Sequence, residues 1–144
     1  MLDAMLPAVH DTAEVTLLPP RRLTSFASRH AAGLPGPGQR DGNILWNGQH
    51  SWLFLGDTLP TQPGAVTDQS DGYSLIAVSG ERAVTILKKL LSIDVERFGP
   101  HDVALTQAAH IPVKLWREDE RYVLACFRSY AVALHHALVH AARG

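Results

Sequence analysis

The chain has 144 residues with 13 basic and 14 acidic side chains, and a formal charge of −1 excludes a protein held on duplex nucleic acid or on a membrane by net charge alone. A chain of this length hides roughly 68–70% of its unfolded surface, enough for one domain without covalent staples, and the single cysteine, Cys126, excludes an intrachain disulfide and any multi-cysteine metal site. Charged residues make up 19% and hydrophobic residues 46%; set against roughly 25% charge in an average soluble domain, that apolar surplus fits either an alanine-rich interior or a surface that a partner covers. The amino terminus carries Asp3 before any basic residue and Pro7 soon after. Neither a signal peptide nor a membrane helix is expected from it, and the protein is expected to be soluble and cytoplasmic.

In chain order, residues 1–43 read as one edge strand, the apolar stretch Val15 to Leu18, and a long loop rich in proline and glycine. The glycines from Gly33 to Gly38 are no phosphate loop, because no strand leads into them, no helix pattern follows, and two prolines remove amide donors. The pattern tightens over residues 44–144. Ile44-Leu45-Trp46 and Ser51 to Leu55 flank Asn47-Gly48, a strong hairpin signal. Tyr73 to Val78 has the length and composition of a buried strand. Ser79 or Gly80 then caps a helix whose apolar positions, Ala83, Ile86, Leu87, Leu90 and Leu91, recur at helical spacing, with Glu81 in the first turn and Lys88 and Lys89 in the last. Three strand-like runs follow, Val103 to Ala108, Ile111 to Arg117 and Tyr122 to Phe127, the last two joined by Glu118-Asp119-Glu120. Ser129 caps a final helix with an apolar stripe through Tyr130, Leu134, Ala137, Leu138 and Ala141. The order βαβββα, with extra strands in front, predicts an α+β two-layer sandwich: a mainly antiparallel sheet with two principal helices on one face.

No set of residues specifies a reaction. His136 and His140 are four apart on the last helix, but they oppose a stripe centred on Leu134, with no third ligand in view, so no metal is expected. His10, His30, His50, His101 and His110 are scattered over loops. No G-x-S-x-G elbow is present. Cys126 on a strand reads as a small buried hydrophobe, and Asp68 and Asp71 as turn-forming carboxylates. Arg21, Arg22, Arg29 and Arg40 form a loose basic group best explained as a solvated loop; an RNA contact through it is the competing reading.

The segments Ile44 to Gly56, Val66 to Leu87 and Phe127 to Ala142 resemble, in order and spacing, the gamma subunit of heterotetrameric sarcosine oxidase. The most specific pieces are Leu45-Trp46 followed by Trp52-Leu53, the group Asp68, Ser70 and Asp71, Ser79-Gly80 with Ala83, and Arg128-Ser129-Tyr130-Ala131. The resemblance covers roughly two thirds to three quarters of the chain and implies a fold like the folate-binding aminomethyltransferase domain of the glycine cleavage system. It further implies a noncatalytic accessory subunit of a complex that oxidatively demethylates sarcosine to glycine. By resemblance, FAD, FMN, NAD and tetrahydrofolate belong to larger flavoprotein subunits, and this chain holds no catalytic, cofactor or metal residues of its own. Where related aminomethyltransferases carry a functional acid, this chain has Val113 or Lys114. The alternative is a free-standing folate-binding one-carbon module. If the chain is a subunit, the expected contacts are the Trp46 and Trp52 hairpin and the outer face of the last helix around His135 and His136, since aromatic side chains anchor interfaces.

Overall fold

Strands β7 (Tyr73–Val78) and β10 (Arg121–Phe127) form the middle of the molecule, and their side chains are apolar on both faces. The computed structural model describes residues 9–144, so the features at Asp3 and Pro7 lie outside the described residues. β10 pairs antiparallel with β7 and with β9 (Ile111–Glu118), β9 with β8 (Val103–Ala108), and β7 with β1 (Val15–Leu17). This gives a five-stranded sheet I in the order β1-β7-β10-β9-β8. The three late strands fall where the alternation predicts them, within one residue at each end.

One face of sheet I carries Ile76, Val78, Leu115, Leu124 and Cys126 and is covered by two helices, α1 (Ala83–Lys88) and α2 (Ala131–Arg143). The expected α+β class and βαβββα order are present. The helix starts differ from expectation. α1 spans six residues and begins after Arg82, not at Ser79 or Gly80. Gly80 has φ +93, a conformation that turns the chain before the helix instead of capping it. Leu91 lies beyond the helix in an isolated bridge to Ala108, yet it still joins the core. A short 3-10 turn at Arg128–Tyr130 precedes α2, so Ser129 is no side-chain cap. The carboxyl end of α2 is bound by cations from the first helix region: Arg82 Nη2 donates to the Ala142 carbonyl (2.7 Å) and Lys89 Nζ to the Ala141 carbonyl (2.8 Å). Positive charge at free helix carbonyls is the favourable arrangement.

The other face of sheet I is covered by a second antiparallel sheet that the sequence pattern revealed only as a single hairpin. Sheet II has the order β3-β4-β5-β2-β6, from β3 (Arg40–Asp41), β4 (Ile44–Trp46), β5 (Ser51–Leu55), β2 (Leu23–Ala27) and β6 (Ala65–Asp68). The predicted β4–β5 hairpin is present, with Trp46 opposite Trp52 and Gly48 at φ +105 in its turn. Residues 15–41 thus supply three strands where one edge strand and a loop were expected, and β2 lies inside sheet II between β5 and β6. Leu23, Leu45, Leu53 and Leu55 from sheet II pack on Leu75, Val103, Trp116, Val123 and Ala125 from sheet I.

Leu87 is fully buried between α1 and sheet I, whereas His136 lies on the solvent side of α2. Leu87→Ala is expected to cost about 2–5 kcal/mol, and His136→Ala close to nothing. Urea melts giving the two variants equal losses would contradict this assignment of faces.

Candidate functional site

Sheet II is shorter than the face it covers. On that face the pairing registers place side chains in three rows across sheet I. The first, Val103, Trp116, Val123 and Ala77, lies under sheet II, and the second is Leu105, Lys114, Ala125 and Leu75. The third, Gln107, Pro112, Phe127 and Tyr73, borders an open cavity of ≈ 340 Å³. Pro112 stands beyond the last β9–β10 pair, Lys114 opposite Ala125, where its missing N–H costs no ladder bond.

Lys114 reaches into this cavity. Its Nζ donates to Asn47 Oδ1 at the turn of the β4–β5 hairpin and lies 5.6 Å from the centre of the Tyr73 ring, which is itself stacked on Phe127 at 5.1 Å. Burial pulls the Lys114 ammonium below its ordinary lysine value. The neighbouring Val113 points the opposite way, into the core beneath the helices. Both residues border the cavity, but of the two only Lys114 turns its side chain toward it.

The residues singled out by sequence divide. Trp46 and Trp52 are paired and half-buried on the outer face of sheet II, where Trp52 Nε1 donates to the Pro35 carbonyl (2.9 Å) and its ring leans on Phe26. His136 is exposed on α2. His135 is not on the outer face with it: it is 3% exposed, and its Nε2 lies 3.0 Å from Asp11 Oδ1, which also accepts from the Leu17 amide. The reason is the rotation of the helix. The buried set Ala131, Leu134, His135, Leu138, Ala141 and Ala142 is turned by about 60° from a stripe through Tyr130 and Ala137, at about 100° per residue. Tyr130 is accordingly exposed. His135 is therefore withdrawn from the outward-facing group; it ties the segment before β1 to α2.

The other candidate groups have structural roles. Asp68 accepts from the amide and hydroxyl of Ser70, bonds that hold its carboxyl below the ordinary aspartate value, and Ser70 Oγ in turn accepts from the Leu23 amide. Cys126 is buried in the core, and burial pushes its thiol up to about 11, away from thiolate chemistry. The basic group of the early segment is dispersed: Arg21 pairs with Glu118, Arg22 lies 3.8 Å from Asp57, and Arg40 bonds backbone carbonyls of Gly42 and Arg117. Sequence reasoning missed Glu118, reading it only as part of the turn Glu118-Asp119-Glu120. It joins Arg21, Arg121 and the buried Trp116 indole, whose Nε1 donates to it at 2.9 Å.

No protein-family model matches the chain. Three curated relatives, each named sarcosine oxidase subunit gamma, do match. One from Corynebacterium sp. (strain U-96) is 30% identical over 91 residues, one from Arthrobacter sp. 32% over 96, and one from Corynebacterium sp. (strain P-1) 31% over 106. Over these stretches the chain is similar to the gamma subunits. The matches take in 54%, 56% and 62% of the chain, and the chain spans about half the length of the curated relatives it matches (44%, 47% and 52%). The fold is shared over a longer stretch than the sequence. A chain of the heterotetrameric sarcosine oxidase of Corynebacterium sp. U-96, solved in complex with pyrrole 2-carboxylate, superposes with a TM-score of 0.80 over 97% of this chain and 88% of its own length, at 22% identity.

The Glu118 cluster gives a testable pH dependence. Burial pushes its carboxyl up, but hydrogen bonds from Trp116, Arg21 and Arg121, with the Arg21 charge, outweigh that and leave it below the ordinary glutamate value. A carboxyl lowered on folding contributes stability above its unfolded value and loses it as pH falls through the folded one. Glu118→Gln should therefore cost about 1–3 kcal/mol near neutrality, and urea melts at about pH 7 and about pH 3 should show the gap to the parent closing in acid. A gap of equal size at both would sink this account.

Proposed function

We propose that this chain is a noncatalytic accessory subunit of a sarcosine-oxidase-like complex that demethylates sarcosine to glycine. The observation that carries the proposal is the agreement between three gamma-subunit relatives at 30–32% identity and a fold match spanning nearly the whole chain. The described residues are consistent with a bracing role. The one thiol is in the core, the Asp68 carboxylate is engaged in a turn, and Val113 or Lys114 stands where, by resemblance, the aminomethyltransferases carry a functional acid. In this reading the chain is a single domain of a cytoplasmic assembly. FAD, FMN, NAD and tetrahydrofolate sit on larger flavoprotein subunits, and the Trp46–Trp52 hairpin and the His136 face of α2 are contact surfaces. No helix among the described residues is long and apolar enough to cross a membrane.

Coexpression with the flavoprotein subunits tests the proposal: the tagged chain should bring them down in fixed stoichiometry. The chain purified alone should contain no flavin, oxidise no sarcosine and transfer no carbon to tetrahydrofolate. Turnover by the isolated chain that survives repurification would overturn the reading, and tight tetrahydrofolate binding without any flavoprotein partner would replace it with the free-standing folate module.

A further inference from the structure

Two cations flank Tyr73 without a carboxylate between them. Lys114 spends one of its three ammonium donors on the neutral Asn47 side chain, and among the described residues it forms no ion pair. On the other side of Tyr73, Arg128 has Nε and Nη1 buried with no hydrogen-bond partner. Neither the Lys114 cavity nor the crevice beside Arg128 is lined by an Asp or a Glu. A buried or half-buried cation is costly unless an anion meets it, so this end of sheet I has positive charge to be answered from outside the described residues.

The surroundings identify the source of the anion. Phe127 is 49% exposed and Leu105 40% exposed at the rim of the cavity. A free small acid would leave this apolar rim in water, whereas a protein surface would cover it while presenting a carboxylate. The cavity also adjoins the turn of the Trp46–Trp52 hairpin through the Lys114–Asn47 bond, so a partner on the hairpin would extend over it. We propose that Lys114, in the cavity walled by Tyr73 and Phe127, seats an aspartate or glutamate side chain of a larger flavoprotein subunit. This rests on the accessory-subunit reading and adds to it the chemistry of one contact.

Zero-length carbodiimide coupling of the coexpressed complex, followed by peptide mass spectrometry, reads the contact directly. An amide between Lys114 Nζ and an Asp or Glu of a flavoprotein subunit is the expected product. Lys114→Met should fold, since a methionine satisfies the apolar walls, but it should weaken the complex by about tenfold or more, with Lys114→Arg retaining most of the affinity. A complex that forms normally, gives no Lys114 coupling, and is unaffected in Lys114→Met and Lys114→Glu would overturn the inference while leaving the subunit reading intact. Benzoate bound beside Lys114 in the whole complex, seen by ligand-observed NMR and lost in Lys114→Met, would overturn it in favour of a free small acid. Failure of the unmodified chain to bring down any flavoprotein would overturn both.

Discussion

The central constraint is that β7 and β10 are apolar on both faces. An antiparallel sheet with one wet face alternates polar and apolar residues, but Leu75, Ile76, Ala77 and Val78 in β7 and Tyr122 to Cys126 in β10 are all buried. Sheet I therefore needs two covers. The helices supply one, because α1 and α2 follow strands of the same sheet and turn their apolar stripes onto it. Sheet II supplies the other, and it can do so only because the early segment contributes β2, an inner strand between β5 and β6. Trp116 sits fully buried between the sheets, and its indole donor reaches Glu118, which holds Arg21 just before β2. A buried indole N–H needs such a partner, so the packing of the two sheets and the charge cluster at their margin are one arrangement.

This division explains which features could be read from the sequence. The late strands and the turn at Glu118 to Glu120 were legible because their signals are local: alternation, length and a charged turn. Asp119 has φ +54, and Ala109 and His110 have φ +50 and φ +67, the turn conformation of tight hairpins. Sheet II was not legible beyond one hairpin, because β2, β3 and β6 are short and draw their stability from neighbours distant in the chain. β6 is exposed along its length and carries no pattern to recognise. The Arg21–Glu118 pair joins residues 97 positions apart, and no spacing rule connects them.

The final helix shows the same limit at finer scale. Periodicity placed it correctly, but its rotation is fixed by what stands opposite. Asp11 accepts from His135 and lets a polar ring occupy a buried position that a count of apolar residues assigns to Ala137 or Tyr130. The candidate site was legible in part for a similar reason. Trp46 and Trp52 announce themselves as large aromatics in a hairpin, whereas Lys114 in an alternating strand looks like an ordinary outward lysine. Only the length of sheet II decides that its face is half-covered.

That length is set by the turn at Asn47 to His50, where Gly48 and His50 both have positive φ and the hairpin reverses before it reaches the third row of sheet I. Had β4 and β5 continued further, they would have covered Phe127 and Tyr73, and an aliphatic residue at position 114 would have packed better than lysine. Stopping short leaves a row whose inner end is sheltered and whose outer end is open. A lysine stem suits the sheltered part while its ammonium needs a polar partner. Asn47, placed by the same reversal, supplies one such partner but no charge. The turn thus creates both the exposed apolar rim and the incompletely answered cation. An apolar rim around a cation asks for a surface that is apolar over most of its area and acidic at one point. This requirement follows from the fold of this chain, independently of which protein meets it.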